Sequence, residues 1–281
     1  MRIPTPRVAL TLGLAAIVGG VAARHRTRHF DRTVNRRVGE LIAGTEPQTD
    51  VVTAADIDAV PSPIRRYFER VLDVGQPLVR RARIQQRGEF RFGVDWHPLT
   101  ATEWVSTRPP GFLWDASVDV FPLVPVRVID RYQDGEGVLD ARLHSLVQVA
   151  QAGPTPAMNE GELLRYLAEG VWYPTALLPS QGIEWESVNA SAARATLEDG
   201  DTTASAVFHV GDDDTVERVT AKRYRQEDDD YQPWVGHFGD YARQDGLLVP
   251  TSGTVAWQLL GEEQPYWRGT IENVEYTTAR E

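Results

Sequence analysis

The 281-residue chain contains no cysteine, and Lys222 is the single lysine among its 29 basic residues. Without cysteine the chain has no disulfide, no thiolate nucleophile and no cysteine-ligated metal site. A lipoprotein anchor is excluded as well, because that lipid is attached to a cysteine. Aromatic residues are plentiful, with eight tryptophans, nine tyrosines and eight phenylalanines. This composition is typical of a chain that folds around a sizeable core.

Motifs for known chemistry are also lacking. The six histidines show no H-E-x-x-H spacing, so no zinc site is predicted. No serine lies in a G-x-S-x-G or S-x-x-K motif, and no glycine-rich phosphate loop opens a helix. The aspartate runs at 212–214 and 228–230 lack the alternating ligands of a calcium loop and are interpreted as solvated hairpin tips. The sequence therefore predicts no catalytic residue, metal or cofactor.

The formal net charge of −11 is unevenly distributed along the chain. Residues 1–37 hold eight arginines and one acid, Asp31, so this segment carries +7 and the remaining residues carry −18. An acidic body of this kind repels nucleic acid, whose recognition depends on neutralising phosphates. The acid excess favours a surface adapted to high salt, where charge repulsion is screened. Codon usage in a GC-rich genome would explain arginine over lysine, but not the acids.

Val8–Ala23 is an uncharged, mostly apolar run of 16 residues. A membrane-spanning helix needs about 17–20 such residues, so this run is borderline, although Arg7 and Arg24 can extend it by reaching toward the headgroups. A cleaved secretory signal, with Val21 and Ala23 before the cleavage site, is the competing interpretation. The arginines after the run favour an uncleaved single-pass anchor with the domain on the cytoplasmic side, the exported side being the alternative.

Three regions are predicted along the chain. Residues 1–43 form the membrane anchor and a juxtamembrane helix, because apolar residues recur at helical spacing from Phe30 onward. Residues 44–59 form a polar linker, in which Thr53 and Asp56 resemble a helix capping box. Residues 60–281 form the folded domain.

Short strands separated by turn residues fill most of this domain. Turns such as "RPPG", "QDGEG" and "LEDGD" recur at short intervals, which is typical of antiparallel hairpins in series and not of βαβ units. The predicted fold is α+β and mainly β: a strongly curved antiparallel half-barrel of about 10–12 strands with a helical lid, preceded by a transmembrane helix. The candidate strands are residues 80–93, 99–108, 111–119, 124–133, 137–148, 183–189, 191–198, 202–210, 215–225, 234–243, 247–259 and 266–278.

The stretch "GELLRYLAEGVWYPTALLP", residues 161–179, interrupts this strand pattern and predicts a helix over residues 160–170. Leu163, Leu164 and Leu167 form an apolar stripe along that helix. A curved antiparallel sheet leaves a concave face that needs a cover, so this segment is interpreted as a lid.

The charged residues of the same helix allow two interpretations. Glu162 lies within side-chain reach of Arg165, and Glu169 is expected to pair with a strand arginine such as Arg83 or Arg87. Glu162 and Glu169 also share roughly one helical face, so an enzyme with paired carboxylates is geometrically conceivable. Local ion pairing is the simpler interpretation.

Several motifs together resemble an uncharacterised prokaryotic family of unknown function. They are "RRYFERVL" at 65–72, "PPGFLWDA" at 109–116, the central "GELLRYLAEGVWYPTALLP", and the closing Tyr241, Gly246, Pro250 and Trp257. The resemblance covers about residues 60–278 and implies no known activity. A weaker likeness, in topology alone, is to the LolA-like lipoprotein carriers of the bacterial envelope. It implies a strongly curved sheet whose concave face holds acyl chains, although those carriers are exported.

These observations predict a membrane-anchored, non-enzymatic module that binds a lipid or another apolar ligand. The alternatives are a membrane-associated interaction protein with a packed interior and a hydrolase that uses the acids near the central helix. The candidate cleft and lid residues are Trp104, Phe112, Trp114, Leu163, Leu164, Tyr166, Leu167, Trp172, Tyr173 and Trp257, with Glu162, Arg165 and Glu169 as polar residues at the rim.

Overall fold

The computed structural model describes residues 27–47, 50–121 and 124–278. The apolar run Val8–Ala23, which the sequence predicts to span a membrane, lies outside these residues. Within the described ranges, no helix combines the length and the apolar character that a membrane crossing requires.

The described chain forms four α-helices, three short 3-10 helices and thirteen strands. The α-helices are α1 (27–44), α2 (Ala54–Asp58), α3 (Ser62–Val71) and α4 (Pro156–Glu169), and the 3-10 helices are Gly170–Trp172, Pro174–Leu177 and Pro179–Gln181. The strands are β1 (Val79–Phe92), β2 (Asp95–Ser106), β3 (Gly111–Phe121), β4 (Val124–Gln133), β5 (Glu136–Leu143), β6 (Val147–Ala152), β7 (Ile183–Asn189), β8 (Ala192–Asp199), β9 (Thr202–Val210), β10 (Val216–Arg225), β11 (Asp230–Gln244), β12 (Leu247–Leu259) and β13 (Glu262–Thr278).

All thirteen strands belong to one antiparallel sheet with the order β6-β5-β4-β3-β2-β1-β13-β12-β11-β10-β9-β8-β7. Neighbours along the chain are neighbours in the sheet, and the pairing of β1 with β13 joins the two halves. The sheet is open, with β6 and β7 as its edges. Helix α4 and the 3-10 helices connect these two edge strands.

The sheet curls around α4. This helix packs on β4 and β5 near one edge and on β8, β9 and β10 near the other, so both halves of the sheet must face it. The two halves also touch directly, since the Tyr132 hydroxyl on β4 donates to Asp199 Oδ2 on β8 at 2.8 Å. Register shifts at Gln85/Gln86 and Val255/Ala256 interrupt the ladders, as bulges do in strongly bent sheets. The predicted curved, mainly β fold is therefore observed.

The strand count exceeds the predicted 10–12 because residues 137–148 are not one strand. His144 and Ser145 both have positive φ, 51° and 57°. They are the central residues of a tight turn that Leu146 N closes by donating to Leu143 O at 3.0 Å, and residues 144–146 separate β5 from β6. Two consecutive left-handed residues are typical of a type I′ turn in a hairpin. The sequence here lacks the glycine or asparagine that normally marks such a turn, so the break was not predicted.

Helix α4 begins earlier than the predicted residue 160. Thr155 caps it by accepting a hydrogen bond from the Met158 amide at 3.2 Å, and Pro156 occupies its first turn. It ends at Glu169, one residue before the predicted end. Gly170 is right-handed at φ −53°, so its conformation alone does not require glycine. A Cβ there would lie 2.5 Å from Leu177 Cδ2, so a larger residue would force the buried Leu177 side chain to move.

One end of the curled sheet is filled with apolar side chains. Helices α2 and α3 close this end, and the predicted capping box of Thr53 and Asp56 is present at the start of α2. Tyr67 and Phe68 of α3 are fully buried and belong to the same core cluster as the leucines of α4. The main core therefore lies inside the curl and not between two stacked layers.

Helix α1 packs on the convex, outer face of the sheet. Its residues Phe30, Val34, Val38 and Leu41 are buried against Leu113 of β3 and Ile129 of β4 in a second, smaller apolar cluster. Asp31 forms an ion pair with Arg127 of β4, which also binds Asp115. The helix is thus attached to the sheet by both apolar and charged contacts.

Candidate functional site

The end of the curled sheet opposite α3 contains a cavity of about 1000 Å³. Strands from both halves of the sheet and the N-terminal half of α4 form its wall. Much of this wall is apolar or aromatic, and it includes Phe90, Leu139, Met158, Trp234, Trp257 and Tyr266. We refer to this space as the inner cavity.

Ionisable side chains form the floor of the inner cavity, where α4 meets the strands. Three of them come from α4 and one each from β2, β4 and β10, so the curl of the sheet is what brings them together. All are largely or fully buried. We refer to this set as the charged floor: Glu103, Asp130, Glu162, Arg165, Glu169 and Arg223.

Arg165 is at the centre of the charged floor. Its Nη1 donates to Asp130 Oδ2 at 2.7 Å and its Nε to Glu169 Oε1 at 2.9 Å, while its Nη2 lies 3.6 Å from Glu103 Oε1. The guanidinium also lies over the rings of Phe112 and Trp114, 4.7 and 5.0 Å from their centroids. Planar stacking with several carboxylate contacts is a geometry for which arginine is better suited than lysine.

Arg223 holds the other side of the floor. Its Nη2 donates to Glu162 Oε1 at 2.8 Å, and its Nη1 lies 3.4 Å from the Tyr266 hydroxyl, which also accepts from Trp234 Nε1. Gly161 of α4 lies next to this guanidinium, since a Cβ at that position would be in van der Waals contact with Arg223 Nε at 3.4 Å.

A chain of hydrogen bonds orients Glu103 within the floor. Trp114 Nε1 donates to Gln86 Oε1 at 2.8 Å, and Gln86 Nε2 donates to Glu103 Oε2 at 3.2 Å. Both Gln86 and Glu103 are almost completely buried. An indole and an amide therefore fix one oxygen of this acid from the strand side.

Burial changes the protonation of two of the acids. It raises the pKa of Glu162 to about 8, with the neighbouring Asp130 charge acting in the same direction. Burial also raises the pKa of Glu103 well above its ordinary value, together with the charge of Glu169. Burial alone would lower the pKa of Arg165, but the charges of Glu169, Glu103 and Asp130 outweigh it and raise that pKa. The pKa of Arg223 is raised as well, because burial, which lowers it, is outweighed by neighbouring charges, chiefly that of Glu162, so both arginines are cationic. Glu162 is largely protonated at pH 7, and the pKa of Glu103 is shifted in the same direction.

The acids of the charged floor lie near one another in two pairs, Glu103 with Glu169 and Glu162 with Asp130, and in each pair the second acid raises the pKa of the first. One oxygen of each of these four carboxyl groups accepts no hydrogen bond from a nitrogen or hydroxyl donor in the described part of the chain. The raised pKa of Glu162 and of Glu103 favours retention of a proton in each pair, which reduces the negative charge that faces Arg165 and Arg223.

The site residues predicted from the sequence lie in three places in the structure: the core, the inner cavity and the outer face. Leu163, Leu164, Tyr166, Leu167, Trp172, Tyr173 and Phe112 are packed in the core, whereas Trp114, Trp257, Glu162, Arg165 and Glu169 line the inner cavity. Trp104 is separate from both groups. It lies on the outer face, where it packs against the apolar cluster of α1.

The central helix is enclosed by the sheet and does not lie as a lid over an open face. Leu163 and Leu167 have no exposed surface, and the Tyr276 hydroxyl donates to the Trp172 carbonyl at 2.5 Å from inside the core. Glu162 is 2% exposed, so it lies in the floor and not at a rim.

The predicted local ion pairs are corrected by the structure. Glu162 bonds to Arg223 and not to Arg165, while Glu169 bonds to Arg165 of its own helix. Arg83 and Arg87 point to the outer face, where they pair with Glu275 and Glu272 of β13. Spacing along a helix gives the possible local partners, but it does not show which distant strand faces that helix.

Sequence reasoning did not identify Glu103, Asp130, Arg223, Gln86 or Tyr266 as site residues. Each is a polar residue within a strand, and the residues on either side of it alternate between apolar and polar as in other strands. Inward-facing charge could have been suspected at Glu103 and Asp130, because alternation places both on the apolar face. The same alternation places Arg223 on the apolar face of β10 with Val219 and Ala221. Among the described residues, no three of His, Cys, Asp and Glu are arranged to hold a metal ion.

The pattern of the whole domain matches a known family model. Residues 58–276 match the family of unknown function DUF6920. The chain belongs to this family. The resemblance expected from the sequence motifs is thereby confirmed, and its boundaries agree with the predicted range. No curated protein matches the chain.

Several solved structures are similar in fold at low sequence identity. A DUF1329 family protein from Desulfovibrio piger is 13% identical with a TM-score of 0.43, over 79% of this chain and 92% of that one. A LolA superfamily protein from Nitrosomonas europaea is 11% identical with a TM-score of 0.33, over 77% and 92%. A beta-barrel-like protein of the domain of unknown function DUF1849 from Brucella abortus is 13% identical with a TM-score of 0.21, over 72% and 99%.

Proposed function

We propose that this protein is a binding module whose inner cavity holds a lipid or another largely apolar molecule with a polar end. The observation that carries the proposal is the cavity itself, which combines an aromatic and apolar wall with a floor of buried ionisable groups. Its volume of about 1000 Å³ is at the upper end of the range for small-molecule sites.

The wall and the floor suggest different roles in binding. Burial of apolar ligand surface against Phe90, Trp234 and Trp257 supplies affinity without directional bonds. The floor supplies hydrogen-bond donors from Arg165 and Arg223 and carboxyl oxygens that lack a donor. A ligand hydroxyl or carbonyl that reaches the floor would satisfy groups that are costly to leave unpaired.

Native mass spectrometry of the full-length protein in detergent tests this proposal, with oleic acid as the probe. We expect one bound oleic acid for each wild-type chain. Met158→Trp should prevent binding, because Met158 lines the cavity and the larger side chain would occupy it. Trp96→Ala is the matched control, since Trp96 lies outside the cavity under Arg268. The proposal would be contradicted if the wild type bound no oleic acid, or if Met158→Trp bound it as well as the wild type does.

A carboxylate-dependent hydrolase is the second candidate, and the raised pKa of Glu162, about 8, favours it. A carboxyl group that is protonated at neutral pH and borders a cavity can act as a general acid. A screen with 4-nitrophenyl esters and glycosides tests this candidate. Any activity should disappear in Glu162→Gln while oleic acid binding persists. No turnover of any of these substrates would leave the binding module as the better account.

We also propose that Val8–Ala23 anchors the protein in a membrane and that residues 60–281 form the domain on its cytoplasmic side. The length of the run and the arginines after it support this placement. The absence of cysteine makes a sharp test available, because one introduced cysteine is the only labelling site. In intact cells, Asp228→Cys should react with a permeant maleimide and not with an impermeant one. Labelling by the impermeant reagent would place the domain on the exported side.

A further inference from the structure

A second cavity, of about 580 Å³, lies on the outer face of the sheet between α1 and strands β4, β5 and β6. We refer to it as the outer groove. It is separated from the inner cavity by the sheet, and it includes residues of α1 that precede the family match at 58–276. Its polar lining residues from the two sides are His29, Thr33, Arg37, Arg131, Asp140, Arg142, Ser145 and Gln151.

The position of α1 determines which of its side chains reach the outer groove. Phe30 and Val34 face the sheet and form the apolar base of the outer groove together with Ile129. His29, Thr33 and Arg37 follow at four-residue intervals along the adjacent stripe of the helix, so they flank the groove in a row. The groove therefore has an apolar base and a basic side.

Basic residues from the strands face this row. Arg142 lies over the Phe30 ring, with its guanidinium 4.7 Å from the ring centroid, and pairs with Asp140 at 2.9 Å. Arg131 is half-buried beside Arg37. With three arginines and Asp140, the lining carries a formal charge of +2. This is a local reversal of charge in a body that carries −18 after residue 37.

Arg131 has no direct ion-pair partner among the described residues. It forms no side-chain hydrogen bond there either, unlike Arg127 four residues earlier on the same strand face, which binds Asp31 and Asp115. Burial, followed by the charge of Arg37, lowers the pKa of Arg131, although Glu136, Asp134 and Glu40 act in the opposite direction from beyond ion-pair distance. A partly desolvated cation without a direct anionic partner is unfavourable, so an anion in the groove would stabilise this arrangement.

We propose that the outer groove binds a phosphate group, either of an anionic membrane lipid or of a soluble phosphate ester. Guanidinium groups match the oxygens of a phosphate, and arginine is the residue best suited to such paired contacts. The hydroxyls of Thr33 and Ser145 add donors to the same lining. The apolar base formed by Phe30, Val34 and Ile129 fits the glycerol and first methylenes of a lipid.

Binding of dioleoyl phosphatidylglycerol to the full-length protein in detergent, measured by native mass spectrometry, tests this proposal. Dioleoylglycerol is the matched control because it lacks only the phosphate headgroup. We expect the phosphatidylglycerol complex and no dioleoylglycerol complex. Competition by glycerol 3-phosphate at equal concentration would assign the site to soluble phosphate esters, whereas its failure to compete would assign it to the lipid.

Two variants locate the site. Arg131→Gln and Arg37→Gln should each weaken binding about tenfold or more, the loss expected for one charge-assisted hydrogen bond. Arg36→Gln is the matched control, because Arg36 pairs with Glu40 on the exposed side of α1. In the lipid-free protein, Arg131→Gln should leave the thermal midpoint unchanged or raise it, since it removes an unpaired charge. Equal weakening by Arg36→Gln, or binding of neither phosphate compound by the wild type, would overturn the proposal.

Discussion

The two ends of the curled sheet share one helix and have opposite characters. At the closed end, Leu163 and Leu167 of α4 belong to the same core cluster as the aromatic residues of α3, and no exposed surface remains on either leucine. At the open end, Glu162 and Arg165 of the same helix face a cavity of about 1000 Å³. The same two turns of helix therefore contribute to an apolar core and to a buried charged site.

This difference follows from enclosure by the sheet. A helix on a protein surface directs its polar side chains to water, but α4 contacts strands on both sides. Its charged residues must therefore find partners inside the protein, which Asp130, Glu103 and Arg223 provide. Apolar burial at the closed end stabilises the fold, whereas a buried charge cluster contributes little net stability. The binding function proposed above would give this cluster a role.

The largest expected effect comes from removing the central cation of the open end. Arg165→Met should lower the free energy of unfolding by about 3–5 kcal/mol at pH 8, because buried carboxylates lose their counter-ion. The loss should be smaller at pH 5, where those acids can be protonated. Urea unfolding of the full-length protein, followed by circular dichroism at both pH values, measures this difference. Arg87→Met is the control, since Arg87 forms an exposed pair with Glu272 and should contribute less than about 1 kcal/mol.

At the closed end, Leu167→Ala should lower the free energy of unfolding by about 2–5 kcal/mol at every pH, because it leaves a hole in a filled core. Met158→Ala, in the wall of the inner cavity, should cost about 1 kcal/mol or less, since the deleted atoms already border open space. The same urea experiment compares the two variants. Equal losses would show that the two ends do not differ in packing.

A smaller effect is expected in the pH dependence of Glu162. Its folded pKa of about 8 is above its ordinary value, so the folded state holds this proton more tightly than the unfolded state. Its contribution to stability is therefore complete below about pH 4.5 and is lost as the pH rises toward 8. Glu162→Gln should remove a slope of up to about 1.4 kcal/mol per pH unit in this range, and part of the slope should remain because Glu103 shifts in the same direction.

Glu272→Gln is the matched control for this titration, because Glu272 is an exposed member of the pair with Arg87. Its profile should follow that of the wild type between pH 5 and 8. A profile of Glu162→Gln that also follows the wild type would show that Glu162 is ionised in the folded protein.

The smallest effect is expected from salt, which distinguishes exposed charge from buried charge. Repulsion within a body that carries −18 after residue 37 should be screened by molar KCl, so the thermal midpoint should rise relative to dilute buffer. The loss caused by Arg165→Met should change little between the two salt concentrations, because the residues of the charged floor are largely buried and buried pairs are screened less than exposed ones. An unchanged midpoint would contradict adaptation to high salt and leave codon usage as the explanation of the arginine content.

Several strands could be predicted from the sequence to the residue. The predicted 124–133, 183–189, 202–210 and 247–259 are β4, β7, β9 and β12. Three of these follow glycines with positive φ, Gly182, Gly200 and Gly246. A residue without Cβ adopts this conformation at little cost, so the turn is encoded where it occurs. The turn at His144 and Ser145 was missed because its residues carry no such mark.

The apolar half of α4 was also predictable, since leucines at helical spacing require a buried partner. The charged half was not. Glu162 has a plausible partner three residues away in Arg165, yet it bonds to Arg223, 61 positions along the chain. Helical spacing gives the possible partners of a charged residue within its own helix. Burial removes the water that would otherwise solvate each charge, so the partner that is formed is the one that the folded structure places nearby.

What the sequence by itself determined is local: the strand and turn order, the apolar stripe of α4, the capped start of α2 and the charge asymmetry between the two ends of the chain. These features depend on side chains within a few residues of one another. Only the tertiary structure decided that the sheet curls around α4, that Glu103, Asp130 and Arg223 meet Arg165, and that Trp104 lies under α1 on the other face. The reason is that each of these contacts joins strands far apart in sequence, and their pairing depends on the curvature of the whole sheet.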